Sequence, residues 1–217
     1  MKALAIDLPG HGSDPGPQTD LHGDADRVRA TLDRIEGPVV LLGHSYGGAV
    51  ITEAGAHPAV AHLVYLCALV LDEGESCASA AAAEAETAQI VHDGRPNLNA
   101  GIIADENGAG SLDPAVAAAC FYNDCDAETV EWALARLGPQ PLITLQQNPA
   151  AVAWRDRPST YVVCANDMGI HPDLQRILAR RCTDSVEWYS DHSPFLSQPD
   201  RLADTLRDLV LASVRSS

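Results

Sequence analysis

The run Gly43-His44-Ser45-Tyr46-Gly47 places a serine between two glycines, with one residue on each side. An apolar run, Val39 to Leu42, comes directly before it, and a sequence of helical character, Ala49 to Ala56, follows. A strand that turns sharply into a helix lifts the central side chain above the sheet edge, and flanking glycines relieve crowding in the turn. The pattern predicts that Ser45 is a nucleophile and that the N–H of Tyr46, at the helix start, donates to an oxyanion.

A serine hydroxyl attacks a carbonyl efficiently only when a base removes its proton and a third group holds the base in place. Asp167 follows the apolar run Thr160 to Cys164, and His192 follows a shorter run, Val186 to Tyr189. The chain order serine, aspartate, histidine is the one expected after a turn of this kind. We therefore predict that Asp167 orients His192 and that His192 accepts the proton of Ser45.

Two of these roles have competitors in the sequence. Asp184 and Asp191 are alternative acids, and Asp167 is preferred because it stands at the end of a predicted strand. Among eight histidines, His192 alone lies after the last predicted strand and downstream of the acid. Four aromatic residues are candidates for an acyl pocket, although core packing is the commoner role for any one of them: Phe121, Tyr122, Trp132 and Phe195.

The elements that must position these residues follow from the apolar periodicity. Strands are predicted at 2–6, 39–42, 62–70, 160–164 and 186–189. Helices are predicted at 20–35, 49–56, 172–181 and 199–214. This alternation predicts a single α/β domain over residues 1–217 with a mostly parallel sheet. Residues 71–153 interrupt it as a helical insertion, with helices near 75–91, 114–121 and 127–137, a loop near 93–113 and no strand.

Composition excludes several classes of function. The 217 residues carry 14 basic and 30 acidic side chains, and the net charge of −16 disfavours nucleic acid as a partner. No apolar run approaches the roughly 18 residues that cross a bilayer, and the first residues do not form a signal peptide. The six cysteines are interpreted as reduced thiols, and the spacing of Cys120 and Cys125 does not indicate zinc. We expect a cytoplasmic protein with a small-molecule substrate and with no membrane partner, cofactor or metal.

Four segments in combination resemble the α/β-hydrolase fold family, and more narrowly bacterial esterases related to plant methylesterases and hydroxynitrile lyases. They are DLPGHGS at 7–13, GHSYGG at 43–48, FYNDCD at 121–126 and DHSPFLSQP at 191–199. The resemblance covers essentially the whole chain. It implies a mostly parallel sheet flanked by helices, a helical cap at roughly 71–153, and a catalytic triad at Ser45, Asp167 and His192.

The resemblance also implies a strand, a helix and an oxyanion loop ahead of the segment that opens this sequence, which makes the fold an N-terminally truncated one. Strand 2–6 is then expected to pair directly with strand 39–42, unless the gene product begins further upstream. The loop would donate the second oxyanion hydrogen bond, and loss of one such donor lowers turnover by about 10²–10³-fold. An unpaired sheet edge also leaves a homodimer as an open alternative.

The function expected from these residues is that of a serine hydrolase that cleaves small carboxylic esters through an acyl-enzyme, with weak turnover if the second oxyanion donor is absent. A hypothesis from another class is a non-hydrolytic or impaired relative that binds or cyclises a small molecule in a biosynthetic pathway. Hydroxynitrile lyase activity is less favoured, because in the plant enzymes a lysine beside the histidine holds cyanide. The single lysine of this sequence is Lys2.

Overall fold

The computed structural model describes residues 2–80, 82 and 94–215, and its centre is a four-stranded parallel sheet. In chain order the elements are α1 (Leu21–Leu32), β1 (Val39–His44), α2 (Gly47–Ala54), β2 (Val60–Leu66), β3 (Ile102–Ala104), β4 (Ala109–Leu112), α3 (Pro114–Phe121), α4 (Ala127–Leu134), β5 (Gln140–Pro141), β6 (Ser159–Cys164), α5 (Pro172–Ala179), β7 (Asp184–Trp188), α6 (Pro194–Ser197) and α7 (Pro199–Arg215). The sheet has the order β1-β2-β6-β7, and every neighbouring pair is parallel.

Helices cover both faces of this sheet. Alternate residues of the strands, such as Leu63 and Tyr161, pack against α1, α2 and α5 in one apolar core. The intervening residues, such as Val64 and Val162, pack against α7 in a second core, together with Leu202. A strand that is covered on both faces must be apolar at consecutive positions, and β6 is buried at all of its residues. The α/β fold predicted from the sequence is confirmed.

Most predicted elements around the motifs are found, with ends displaced by a few residues. The predicted helix 20–35 is α1, and the predicted strands 39–42, 62–70, 160–164 and 186–189 are β1, β2, β6 and β7. The predicted helices 114–121, 127–137, 172–181 and 199–214 are α3, α4, α5 and α7. Of the predicted helix 75–91, the described residues 77–80 and 82 are helical, and the remainder of that range beyond 82 lies outside the described residues.

The prediction that residues 2–6 form a strand paired with β1 is wrong. In the described sheet β1 pairs with β2 alone, and residues 2–7 form neither helix nor strand. A groove of about 410 Å³, lined by Leu4 and Ile6 on one side and by Leu41 and Leu42 on the other, separates the two segments. Side chains hold the segment instead, because Asp7 accepts hydrogen bonds from Ser13 and Ile6 packs against the core.

The prediction of no strand between 71 and 153 is also wrong. Strands β3, β4 and β5 form a small antiparallel sheet outside the main one. These strands have three, four and two residues, which is too short for an apolar alternation to be recognised in the sequence. The predicted loop near 93–113 contains their hairpin turn, where Asp105 Oδ1 accepts the N–H groups of Asn107 and Ala109 and Gly108 has a φ of +81°.

Among the described residues, we find no helix that combines the length and the apolar character needed to cross a membrane.

Helix α1 begins at a side-chain cap that also titrates. Asp20 Oδ1 accepts a hydrogen bond from Gly23 N at 2.9 Å, and Asp20 Oδ2 accepts one from Gln147 Nε2 at 2.9 Å. The hydrogen bonds from Gln147 and then from Gly23 lower the pKa of Asp20 below its ordinary 3.8. A carboxylate whose pKa is lowered by folding stabilises the fold above its unfolded-state pKa, and this contribution is lost as the pH falls through the folded-state pKa.

We predict that Asp20→Ala lowers the free energy of unfolding at pH 7 by about 0.5–2 kcal/mol, because the first turn of α1 loses its cap. The difference in free energy of unfolding between the variant and the parent protein should become smaller as the pH is lowered from 5 towards 2. Urea unfolding at several pH values measures both effects. Asp26→Ala, an exposed position in the same helix, is the control and should change stability by no more than about 0.5 kcal/mol. A constant difference at every pH would contradict the capping assignment.

Candidate active site

The candidate nucleophile occupies a strained turn at the end of β1. Ser45 has a φ of +52°, a left-handed conformation that is uncommon for any residue other than glycine. A Cβ atom at Gly43 would lie 2.3 Å from the carbonyl oxygen of Gly47, and one at Gly48 would lie 2.6 Å from that of Leu69. Side chains at these two positions would therefore break the turn that presents Ser45.

The expectation that Gly47 also relieves crowding is wrong. An added Cβ at Gly47 would have no neighbour within 4 Å in the described part of the chain, and its φ is not positive. The turn therefore requires glycine at Gly43 and at Gly48, and Gly48 packs against the segment that follows β2.

The residue after Ser45 presents a free backbone donor. The N–H of Tyr46 has no acceptor among the described residues, and Tyr46 is the N-cap of α2, where the helix dipole favours negative charge. The Tyr46 hydroxyl donates to Asp24 Oδ2 at 2.7 Å, and Thr19 Oγ1 donates to Asp24 Oδ1 at 2.8 Å. Burial and then the bond to Asp24 raise the pKa of Tyr46, so the phenol stays protonated and remains a donor. This contact anchors the turn to α1.

Asp167 lies three residues beyond β6 and is fully buried. Its Oδ1 accepts hydrogen bonds from Gly169 N at 2.7 Å and from Ile170 N at 2.9 Å. Its Oδ2 accepts from Gln175 Nε2 at 2.7 Å and lies 2.7 Å from Nδ1 of His192. Four donors on two oxygens compensate a carboxylate that has been taken out of water.

His192 lies four residues beyond β7, and its side chain is 2% exposed. Because Nδ1 donates to Asp167, the other ring nitrogen, Nε2, is the one that can accept a proton. Phe121 from the insertion stacks on the ring, with centroids 5.0 Å apart and an interplanar angle of 26°. The His44 ring also lies next to the His192 ring, with centroids 4.6 Å apart and an interplanar angle of 54°.

His44 supports the candidate base through its backbone. Its Nε2 lies 2.7 Å from the carbonyl oxygen of His192, which fixes Nε2 as the protonated nitrogen of His44. Desolvation, reinforced by the neighbouring His192, lowers the pKa of His44 to about 3. His44 is therefore neutral at any pH near 7 and does not compete with His192 for a proton.

The structure brings Asp167 and His192 into direct contact, whereas Ser45 makes no side-chain hydrogen bond to either of them in the described part of the chain. Ser45 adjoins His44, which touches His192 through both its ring and its Nε2. Hydrogen bonds between a nucleophile and its base are often long or misaligned in unliganded hydrolases and shorten when substrate binds.

The alternative acids have other partners. Asp191 Oδ1 accepts hydrogen bonds from Ser197 Oγ at 2.7 Å and from Ser193 N at 3.2 Å, which hold the turn after β7. Asp184 is exposed at the first position of β7. Among the candidate aromatic residues, Phe195 contacts the His44 ring at 4.9 Å, while Trp132 is half exposed on α4.

One group of potential metal ligands lies at this site. His44, Cys67 and His192 have ligand atoms within 4.8 Å of one another. Cys67 has a φ of +37°, and its Sγ points to the same carbonyl oxygen of His192 that His44 contacts, at 3.3 Å. Burial raises the pKa of the Cys67 thiol well above its ordinary value, which disfavours the thiolate that a metal requires. The donor set therefore suits hydrogen bonding to the His192 loop better than metal binding.

Sequence reasoning missed three residues that shape the site: Asp24, Cys67 and Gln175. Asp24 and Gln175 are polar residues on helix faces that are otherwise apolar, where α1 and α5 pack on the sheet. A polar residue at a predicted core position is a usable signal, because burying it requires a dedicated partner. Cys67 gives no such signal, since cysteine is common in cores.

Residues 2–205 match the model of the alpha/beta hydrolase family. The chain aligns over 223 positions, with 30% identity, to an alpha/beta hydrolase of Aspergillus novofumigatus. The alignment covers 95% of this chain and 84% of that protein.

Two solved structures resemble it with low sequence identity. Polyneuridine aldehyde esterase superposes with a TM-score of 0.77 at 20% identity, over 95% of this chain and 87% of that one. A pyrethroid hydrolase from Sphingobium faniae superposes with a TM-score of 0.76 at 24% identity, over 96% of this chain and 86% of that one. At these identities the likeness shows a common fold.

We predict that Gly43→Ala lowers the free energy of unfolding by about 1–3 kcal/mol, because its Cβ would overlap the backbone of the turn. Gly47→Ala is the matched control in the same motif and should stay within about 0.5 kcal/mol of the parent protein. Thermal and denaturant unfolding of the two variants measure this contrast. Equal destabilisation by both substitutions would contradict the described turn.

Proposed function

The chain belongs to the alpha/beta hydrolase family, and on this basis we propose that it is a serine hydrolase that cleaves small carboxylic esters through an acyl-enzyme. The observation that carries the proposal is the 2.7 Å contact between the buried Asp167 carboxylate and Nδ1 of His192. This contact leaves Nε2 of His192 as a base, on the sheet edge where the strained turn presents Ser45.

In the proposed reaction, Nε2 of His192 takes the proton of Ser45 while Oγ of Ser45 attacks the ester carbonyl carbon. The carbonyl oxygen becomes an oxyanion, and the free N–H of Tyr46 donates to it. The tetrahedral intermediate collapses, and the proton on His192 passes to the departing alcohol. Water, deprotonated by His192, then attacks the acyl-enzyme, releases the carboxylic acid and restores Ser45.

The geometry favours this function over a protein that only binds a small molecule. A left-handed serine and a buried carboxylate each carry a cost, which for backbone strain is about 1–3 kcal/mol. A binding site gains nothing from a strained serine or from an imidazole oriented by a buried acid, whereas an acyl transfer needs both. A cyanohydrin-cleaving lyase is not favoured, because the single lysine, Lys2, is exposed in the opening segment and far from His192 in the sequence.

We predict that Ser45→Ala and His192→Ala each lower kcat/KM for p-nitrophenyl acetate by about 10³–10⁶-fold, because the nucleophile or its base is lost. Initial rates with p-nitrophenyl esters of increasing acyl length measure this. Ser111→Ala, at an exposed serine of β4, is the control and should keep the parent rate. Circular dichroism checks that each variant is folded. A Ser45→Ala protein that retained the parent rate would refute the assignment.

We further predict that kcat/KM rises with pH between 5 and 8 along a single-proton curve. A general base must be neutral to accept the proton of the serine, so activity is expected to be lost on the acid side of the profile. His44 adds no second transition, because its pKa is held at about 3. A stopped-flow pH profile tests this, and a flat profile across the range would argue against His192 as the base.

A further inference from the structure

We propose that Gln175 is a positioning residue of this site, whose amide N–H holds the Asp167 oxygen that in turn holds His192. The proposal rests on the function proposed above and adds a residue that the sequence motifs do not include. Gln175 touches neither the reacting serine nor the base, and it acts through the acid.

Gln175 is a fully buried amide on the face of α5 that packs against the sheet. Its helical neighbours Leu174 and Leu178 are also buried and belong to the apolar core. An amide in such surroundings is costly unless its polar atoms are satisfied. Its presence therefore indicates a specific set of partners.

The partners of Gln175 fix the orientation of its amide. Its Oε1 accepts a hydrogen bond from the backbone N–H of Cys164 at 2.9 Å, and an N–H group can only donate. The atom facing Cys164 must consequently be the oxygen, and the NH₂ group must face the acid. Nε2 donates to Asp167 Oδ2 at 2.7 Å and to the carbonyl oxygen of Ile170 at 2.8 Å.

One side chain thus joins the last residue of β6 to the turn that carries the acid. Oδ2 of Asp167 receives both Gln175 and His192, so the position of the Gln175 amide determines where the histidine finds its acceptor. The amide N–H is not titratable, and it can stabilise the carboxylate at every working pH. A neutral donor also leaves the negative charge of Asp167 available to the imidazolium that forms during catalysis.

Three other titratable groups whose pKa is raised by burial, with a contribution from the charge of Asp167, do not substitute for this donor: Cys67, Cys120 and Tyr161. Each of them donates to a backbone carbonyl oxygen instead, that of His192, Pro96 and Ala68 in turn. On the side of the insertion, Arg95 Nη1 donates to the backbone carbonyl oxygen of Asp167 at 2.5 Å. That contact lies on the main chain, whereas Gln175 contacts the carboxylate itself.

The chain offers a matched control in Gln147. Its Oε1 accepts the backbone N–H of Leu21 at 2.9 Å, and its Nε2 donates to Asp20 Oδ2 at 2.9 Å. Gln147 shares two of the three hydrogen bonds of Gln175, from a backbone N–H on one side and to a carboxylate on the other, and lacks only the bond to a carbonyl oxygen. The carboxylate is here the cap of α1, so substitutions at Gln147 report the structural cost of losing such a bridge.

The test compares Gln175→Leu and Gln175→Glu with the same two substitutions at Gln147. For Gln175→Leu we expect kcat for a p-nitrophenyl ester to fall by about 10- to 100-fold with KM unchanged, because a charge-assisted hydrogen bond is lost. Gln147→Leu should lower the unfolding midpoint and leave kcat near the parent value. Equal losses of kcat at the two positions, in proportion to lost stability, would overturn the proposal.

Gln175→Glu supplies a readout that a purely structural role would not change. A carboxyl placed against Asp167 shares one proton with it, and in this form it still donates to Oδ2. Activity should therefore be closest to the parent level at low pH and fall at higher pH as the shared proton is lost, which adds a descending limb to the profile. Gln147→Glu should keep the ascending profile. A parent-like profile for a folded Gln175→Glu protein would overturn the proposal.

Dependence of the parent activity on Ser45 is measured first, so failure of the proposed function is recognised separately. Proton NMR of the His192 Nδ1–H signal gives a readout that does not require turnover. We expect this downfield signal to move in Gln175→Leu and to stay in place in Gln147→Leu. An unmoved signal in Gln175→Leu would also contradict the positioning role.

Discussion

The charge of a carboxylate buried at the end of β6 is the constraint on which the rest of the site depends. A carboxylate inside a protein is stable only when donors replace the water that it has lost. Asp167 obtains these donors from the turn that follows it, from α5 and from His192. The parallel sheet supplies the geometry, because the carboxyl ends of β1, β6 and β7 lie along one edge.

The conformational strain at Ser45 is maintained by close packing. Gly43 and Gly48 let the turn approach the backbone of α2 and of the segment after β2, and the Tyr46 hydroxyl ties the turn to the buried Asp24 of α1. The insertion contributes Phe121, which stacks on His192 and limits the contact of its ring with water. The geometry of the candidate site is therefore distributed over the sheet, the helices α1, α2 and α5, and the insertion.

The sequence was sufficient to predict the strands whose apolar runs are buried in the central sheet and the turns that follow them. Continuous apolar runs identified β1, β2 and β6, and turn residues after them located Ser45 and Asp167. The apolar pattern of the sequence failed where tertiary contacts decide the local structure. The apolar run at 2–6 forms no strand, because a strand exists only when its backbone is paired, and the strands β3 to β5 are too short to show a period. Gln175 could not be assigned, since its partner is fixed by the packing of α5.

Asp167 and His192 are proposed to make the hydroxyl of Ser45 a nucleophile. Covalent labelling by a fluorophosphonate probe detects such a serine, and peptide mass spectrometry locates the adduct. We expect one adduct, on Ser45, that forms rapidly in the parent protein and much more slowly in His192→Ala. A parent protein that remained unlabelled, or an adduct on another residue, would contradict this proposal.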